Sequence, residues 1–268
     1  MIMRAPLVIS VGSLLNFYSK YSIMGCDALV LIASSEANKA ERDSEINLSL
    51  PRDGYDGFFR AKRALELQCP RIVSCADVMS IATGDLINLE VLKGRRDGLV
   101  SKASRAAGDI PQVNQTIPEI VSIFKSKGLT ILDMVALSGG HTIGFSHCKE
   151  FMPRIYDYNK TFDVDPTMDQ HFAQSLRGSC PKKKFDPIVV ALNDVTTPFI
   201  FDNSYYQNLQ KGLGLLATDQ MLILDSTTGG YVKKMAENQN VFFNYFVSTM
   251  IKLGSVRVKN RLGLDEAQ

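Results

Sequence analysis

The chain has 268 residues, of which 45% are hydrophobic and 22% are charged. These fractions are typical of a soluble globular protein and exclude collagen-like, coiled-coil and largely disordered chains. Lys and Arg together number 30 and Asp and Glu 28, so the net charge is +2 and gives no reason to expect nucleic acid or an anionic membrane as a partner. No apolar run reaches the roughly 20 residues that a membrane-spanning helix needs.

Helical periodicity dominates the chain, and signals for strands are few and short. Capping-box patterns begin at Ser74 and Thr130, Asp165-Pro166 fits an N-cap followed by proline at the first helical position, and Asp202 can cap the helix that follows it. The tracts with helical spacing are Tyr55–Leu67, Ser74–Leu89, Thr116–Lys127, the tract from Thr130 to Gly139, Asn203–Leu209 and Asn240–Leu253. The sequence therefore predicts an all-α fold with long ordered loops.

The N-terminal segment and the cysteines are atypical. In the lead-in segment 1–24, Arg4 precedes the apolar stretch Ala5–Leu15, a faint likeness to a secretory signal, but no clean cleavage site follows. The five cysteines are widely spaced and form no C-x-x-C pair, which argues against a zinc ribbon or a thioredoxin-type site. An odd number leaves two interpretations open: disulfides with a partner missing, or buried free thiols.

Among the three histidines, His141 has the most informative surroundings. It follows an apolar helical tract, and Gly139-Gly140 beside it removes side-chain bulk, so that a large flat group could approach the backbone. An imidazole in such a place suits an axial metal ligand. The alternative is a structural or exposed histidine, which is the interpretation that suits His171 in its polar helix. The sequence alone does not choose a carboxylate partner for the other ring nitrogen.

The run Asp194–Asp202 is the second candidate site. It offers carboxylate, hydroxyl and carbonyl oxygens close together, and calcium takes six to eight hard oxygen ligands. The alternative is a capped loop, in which Asp202 is the N-cap of the next helix and Pro198 a turn residue.

Several short motifs occur in one order, and at nearly the spacing, seen in one protein family. They are Val73–Asp77 (VSCAD), Gly94–Gly98 (GRRDG), Leu137–Gly144 (LSGGHTIG), Phe201–Tyr206 (FDNSYY) and Asp219-Gln220. On these motifs the chain is identified as a member of the secreted plant haem peroxidases (class III), and the similarity runs from about Gly25 to Gly254. It implies the mostly helical haem-peroxidase fold, with residues 25–257 as the peroxidase domain and 258–268 as a divergent tail.

The resemblance implies a proximal haem site. His141 is similar to the histidine that binds the haem iron, and Asp219 to the carboxylate that accepts its ring N–H. Pro111 stands where the family contacts aromatic donors at the haem edge. The implied cofactor is haem b, and the implied reaction reduces hydrogen peroxide while oxidising phenolic-type donors, in the response to oxidative stress. The family is extracellular, and we expect a monomer without nucleic-acid or membrane partners.

The resemblance also implies a calcium ion and two structural links. Cys148 and Cys180 match a family disulfide, which in the chain-entropy model stabilises the fold by about 3 to 4 kcal/mol. Asp77 and Arg95 resemble a buried structural ion pair. Five residues match the proximal calcium ligands one by one, Ile200 through its carbonyl: Thr142, Asp194, Thr197, Ile200 and Asp202.

The chain departs from the family on the distal side of the haem, as an N-terminally truncated member would. The family carries R-x-x-F-H-D-C-F ahead of the segment that matches Gly25–Asp27, whereas residues 19–24 are SKYSIM, without histidine or arginine. Asn47 matches the residue that orients the distal histidine. Gly25 and Asp27 match distal calcium ligands, but Leu29 stands where a hydroxyl ligand is expected, so we predict no second ion.

These departures leave competing hypotheses. Cys26, Cys69 and Cys75 match family cysteines whose partners are absent from the sequence. The first hypothesis is a haem peroxidase. The second is a catalytically impaired protein that binds haem and calcium without turnover. The third is a fragment that does not fold, the product of an incorrect gene model or a splice variant. A positioned acid–base group contributes about 100- to 10,000-fold to a rate, so we expect this chain to react with peroxide far more slowly than an intact relative.

Overall fold

The computed structural model describes residues 27–44, 47, 52–87, 93–106, 110–183, 186 and 189–256. The predicted lead-in segment 1–24, Gly25, Cys26 and the predicted tail 258–268 lie outside the described residues. Within these ranges, no helix has both the length and the apolar character needed to cross a membrane.

Helices make up most of the secondary structure, as the sequence predicts. Short 3-10 turns lie at Leu29–Leu31, Glu41–Asp43, Gly139–Thr142 and Cys148–Glu150, and the strands β1 (Phe145–His147) and β2 (Val190–Leu192) pair antiparallel. The α-helices are α1 (Arg52–Gln68), α2 (Cys75–Ile87), α3 (Ala103–Ala106), α4 (Ile117–Lys125), α5 (Ile131–Ser138), α6 (Met152–Ile155), α7 (Gln170–Ser179), α8 (Ser204–Gln210), α9 (Ala217–Leu224), α10 (Gly229–Glu237) and α11 (Gln239–Leu253).

The described residues divide into two compact units, the first comprising those within 27–111, 126–129 and 247–256. In this unit α1 packs against α2, and the buried Arg95 links three segments. Its Nη1 lies 3.5 Å from Asp77 Oδ1, and its Nη2 donates a hydrogen bond to the carbonyl of Gly254 at 2.9 Å. The ion pair implied by the resemblance is therefore present, and it ties α2 to the segment that follows α11.

The second unit comprises residues 112–125 and 130–246 and contains an apolar cluster crossed by a disulfide. Cys148 and Cys180 are fully buried and joined, as the resemblance implies, with their Cα atoms 5.7 Å apart. Cysteine, aliphatic and aromatic side chains fill the space around the bond: Phe151, Ile155, Met168, Phe172, Ala173, Leu176 and Leu215. The disulfide therefore fixes the start of the segment after β1 to the end of α7.

Two helix starts differ in how well the sequence predicts them. Thr130 and Asp133 form the predicted capping box at α5, each side chain bonding the other residue's backbone N–H. The prediction at Asp165 is wrong, because α7 begins at Gln170 and its N-cap is Asp169, which accepts from Phe172 N. Asp165 Oδ1 accepts from Thr167 N and Thr167 Oγ1 in a local turn, and its Oδ2 accepts from the buried Arg154 Nε at 2.8 Å, a contact that spacing in the sequence cannot reveal.

Gly139 allows α8 to approach the end of α5 closely. The Tyr206 hydroxyl donates to the carbonyls of Val135 and Ala136, at 2.9 and 3.2 Å, near the end of α5, where the Ala136 carbonyl also accepts from the backbone N–H of Gly139. A Cβ at Gly139 would overlap this hydroxyl and the ring of Phe242. The chain's own aromatic side chains therefore fill the space beside Gly139. The prediction that Gly139 and Gly140 leave room for a flat ligand is wrong at Gly139 and stays a prediction at Gly140, where the nearest atom to an added Cβ is 3.8 Å away.

We predict that Gly139→Ala lowers the free energy of unfolding by about 1 to 3 kcal/mol, because the added methyl group forces Tyr206 and Phe242 apart. Gly140→Ala is the matched control: the nearest atom to its Cβ is a Phe246 ring carbon at 3.8 Å. The control should change stability by less than about 1 kcal/mol. Urea unfolding of both variants measures the difference, and equal effects would contradict the packing argument.

Candidate functional site

His141 and Asp219 meet in the second unit. His141 lies in the 3-10 turn that continues α5, and Asp219 lies in the first turn of α9. The sequence separates them by 78 residues, yet His141 Nδ1 lies 2.9 Å from Asp219 Oδ1. The imidazole is 41% exposed and the carboxylate only 4%. The structure thus brings together the pair that the resemblance implies, with one member accessible and the other enclosed.

The carboxylate of Asp219 determines which ring nitrogen of His141 carries the hydrogen. An ionised carboxylate can only accept hydrogen bonds, so Nδ1 carries the hydrogen in this contact and the neutral ring has none on Nε2. A neutral imidazole without hydrogen on Nε2 is the form that binds a metal through that atom. A carboxylate on the other nitrogen fixes this tautomer and the orientation of the ring.

Tyr205 belongs to the same group, and sequence reasoning missed it as a functional residue. Its hydroxyl donates to Asp219 Oδ1 at 2.9 Å, and its ring meets the His141 ring edge-on with centroids 6.1 Å apart. Burial raises the pKa of Tyr205 well above its usual value, and the charge of Asp219 raises it further, so the hydroxyl stays protonated and donates. No local pattern indicates this contact, because Tyr205 and Asp219 lie on different helices.

Oxygen atoms from five residues converge beside His141. Thr142 Oγ1 lies 3.3 Å from Asp194 Oδ2, 3.4 Å from Asp202 Oδ1 and 3.5 Å from the Ile200 carbonyl. Thr197 Oγ1 lies 3.1 Å from Asp202 Oδ1 and 3.5 Å from Asp194 Oδ2. All five predicted calcium ligands are therefore close together, on segments that precede β1 and follow β2.

The chemistry of this oxygen set fits a hard cation. The carboxylates of Asp194 and Asp202 both face the hydroxyls of Thr142 and Thr197. Two hydroxyl groups can donate only two hydrogen bonds, so they cannot offset both negative charges. A cation with oxygen ligands, such as calcium, would neutralise both charges. Among the described residues no group of three or more His, Cys, Asp or Glu side chains is arranged to hold a metal, so the site depends on hydroxyl and carbonyl oxygens as well.

The loop alternative holds in part, because both aspartates also organise the backbone. Asp194 Oδ1 accepts from the backbone N–H groups of Thr196 and Thr197 and from Asn208 Nδ2, at 2.7 to 3.0 Å. Asp202 Oδ1 accepts from Ser204 N at 2.8 Å, although the N-cap position of α8 is Asn203. Asp194 thus uses one oxygen to shape the loop and turns the other toward Thr142.

The remaining predicted site residues lie in the first unit. Asp27 is buried, and its carboxylate accepts from the backbone of Leu29, which is buried as well. Asn47 is buried and donates to the carbonyl of Glu41 at 2.9 Å. Pro111 is half-buried. Their roles at the distal side and at the haem edge stay predictions.

Comparison with known proteins identifies the family. Residues 10–238 match the family model for peroxidase. The chain is 47% identical over 254 residues to Peroxidase 65 and to Peroxidase 41 of Arabidopsis thaliana, covering 92% of this chain and 75% and 76% of those relatives. It is 48% identical over 235 residues to Peroxidase 31 of the same plant, covering 85% and 72%. The chain therefore belongs to the peroxidase family, as one of the plant secretory (class III) peroxidases, oxidoreductases that act on hydrogen peroxide.

Proposed function

We propose that this chain binds haem b through His141 and reduces hydrogen peroxide while oxidising phenolic-type donors, as part of a response to oxidative stress. The observation that carries the proposal is the contact of 2.9 Å between His141 Nδ1 and Asp219 Oδ1. A half-exposed imidazole with a buried carboxylate behind it is the arrangement in which a histidine would hold haem iron through Nε2.

Each residue of the group has a defined task in this function. Haem, when bound, supplies an iron centre that peroxide oxidises and that aromatic donors reduce again. Asp219 holds the proton of Nδ1 and keeps Nε2 in the metal-binding form. Its negative charge makes the imidazole a stronger electron donor, which favours the higher oxidation states of iron. Tyr205 holds Asp219 from the other side.

We also propose one calcium ion between Thr142 and the segment 194–202, and an extracellular location. The converging oxygens of two carboxylates, two hydroxyls and a carbonyl support the ion. Because Thr142 follows His141 in the chain, the ion would brace the backbone next to the haem ligand. The disulfide between Cys148 and Cys180 supports the location, since disulfides persist in oxidising compartments.

A second candidate function is haem and calcium binding with little turnover. Residues 19–24, where the family has its distal arginine and histidine, contain neither, and they lie outside the described residues. A histidine at that position would take a proton from peroxide and return it to the leaving oxygen, and an arginine would stabilise the developing charge. Without these two residues the chain would still bind haem and calcium, but it would react with peroxide more slowly.

We predict that His141→Ala abolishes haem binding in a titration followed at the Soret band, because the mutation removes the axial ligand. His171→Ala is the matched control, since His171 is an exposed residue of α7. The control should bind haem as the unmodified chain does. An unchanged haem spectrum in the His141→Ala protein would reject the ligand assignment.

We predict that calcium raises the melting temperature of the unmodified chain and that Asp202→Asn removes most of this increase. At a concentration about 100 times the Kd, a bound ion stabilises a fold by about 2.7 kcal/mol. Asparagine keeps an oxygen for Ser204 N but loses the charge. Asp56→Asn, on the exposed side of α1, should keep the full calcium response. If calcium and EDTA give the same melting curve for the unmodified chain, the calcium site is refuted.

We predict that the haem-loaded chain oxidises a phenolic donor at least about 100-fold more slowly than Peroxidase 65 under the same peroxide concentration, because residues 19–24 contain neither the histidine nor the arginine expected at the distal position. Initial rates of donor oxidation measure this ratio. Rates within tenfold of each other would show that other residues of this chain supply the proton transfer, and would exclude the second candidate function.

A further inference from the structure

We propose that Tyr205 is a positioning residue that limits how strongly Asp219 polarises His141, and that it thereby sets the reduction potential of the bound iron. The inference rests on the proposed binding of haem by His141. It goes beyond the histidine–carboxylate pair because it assigns a role to a third side chain that touches neither iron nor peroxide.

The evidence is the way in which Asp219 uses its two oxygens. Oδ1 accepts from both His141 Nδ1 and Tyr205 Oη, each at 2.9 Å. Oδ2 is buried and has no hydrogen-bond partner among the described residues. Two donors therefore share the charge of this carboxylate at one atom, and no third donor in the described part of the chain compensates if one is lost.

The hydroxyl of Tyr205 is held firmly in its place. The side chain is 2% exposed, and its ring packs edge-on against Tyr206 with centroids 5.0 Å apart. The start of α8 is anchored by Asn203, whose Nδ2 donates to the carbonyls of Met235 and Ala236 at 2.9 and 2.8 Å. Tyr205 Oη is thus presented to Asp219 by a buried ring on an anchored helix.

The direction of the effect follows from charge. A hydroxyl that donates to a carboxylate withdraws negative charge from it, and charge-assisted bonds of this kind are among the stronger ones in proteins. With the hydroxyl present, Oδ1 pulls less on the Nδ1 proton of His141. Without it, the imidazole gains anionic character and favours ferric over ferrous iron.

The test replaces Tyr205 by Phe, which keeps the ring and removes only the hydroxyl, in the haem-loaded chain. We expect the Fe(III)/Fe(II) equilibrium to shift toward ferric iron by about three- to tenfold, where tenfold corresponds to about 59 mV for one electron. The iron–histidine stretching frequency of the ferrous protein should rise. Tyr206→Phe is the matched control, because its buried hydroxyl bonds backbone carbonyls of α5 and not Asp219; it should change neither quantity.

A second substitution should shift the reduction potential in the opposite direction, and it removes no buried group. Site-specific Tyr205→3-fluorotyrosine keeps the hydroxyl and makes it a stronger donor, so the potential should rise. In an Asp219→Asn background the carboxylate charge is gone, and Tyr205→Phe should then shift the potential far less than in the unmodified chain.

The outcomes separate this inference from the function on which it rests. If the unmodified chain shows no Soret band with haem, the proposed function fails and the inference fails with it. If both proteins bind haem and Tyr205→Phe leaves the potential and the stretching frequency unchanged, the role of Tyr205 alone is overturned. Equal shifts for Tyr205→Phe and Tyr206→Phe would also overturn it, because general packing would then explain both.

Discussion

The hydrogen bond between His141 and Asp219 is the interaction on which the site depends. It joins a 3-10 turn after α5 to the first turn of α9, across 78 residues of sequence. Such a contact forms only when the intervening helices are packed, because neither partner is placed by its own element alone. The fold of the second unit can therefore be understood as the scaffold that holds one imidazole against one carboxylate.

Buried polar side chains provide much of that scaffold. Arg154 bonds Asp165 and reaches the carbonyls of Gly214, Leu215 and Leu216, directly before α9. An arginine that is 2% exposed is stable in the interior only because carbonyl and carboxylate oxygens accept the hydrogen bonds of its guanidinium. The position of Asp219 thus depends on a residue that has no part in the chemistry.

What the sequence could predict was set by local patterns and motif order. The capping box at Thr130 and the oxygen-rich run 194–202 are visible because their groups are close in the chain. Asp219 could be chosen as a partner only through the family resemblance. Tyr205 could not be predicted, since the contact that gives it meaning exists only after α8 packs beside α9.

The two errors have the same physical origin. Asp165 has the local signature of an N-cap and does bond the backbone N–H of Thr167, but its second oxygen bonds Arg154 and the helix begins only after Asp169. Gly139 suggests an opening for a ligand, but Tyr206 and Phe242 occupy the space beside it. In both cases a tertiary contact that spacing cannot show changes the outcome.

Thr142 is the covalent neighbour of His141, and its hydroxyl is one of the oxygens around the proposed ion. Under the proposed function, one peptide plane would couple the calcium ligands to the orientation of the imidazole. Thr142 is fully buried, so its side chain cannot turn into solvent to absorb a change in the spacing of these oxygens. The spacing of the oxygens around Thr142 would then set the tilt of the histidine ring.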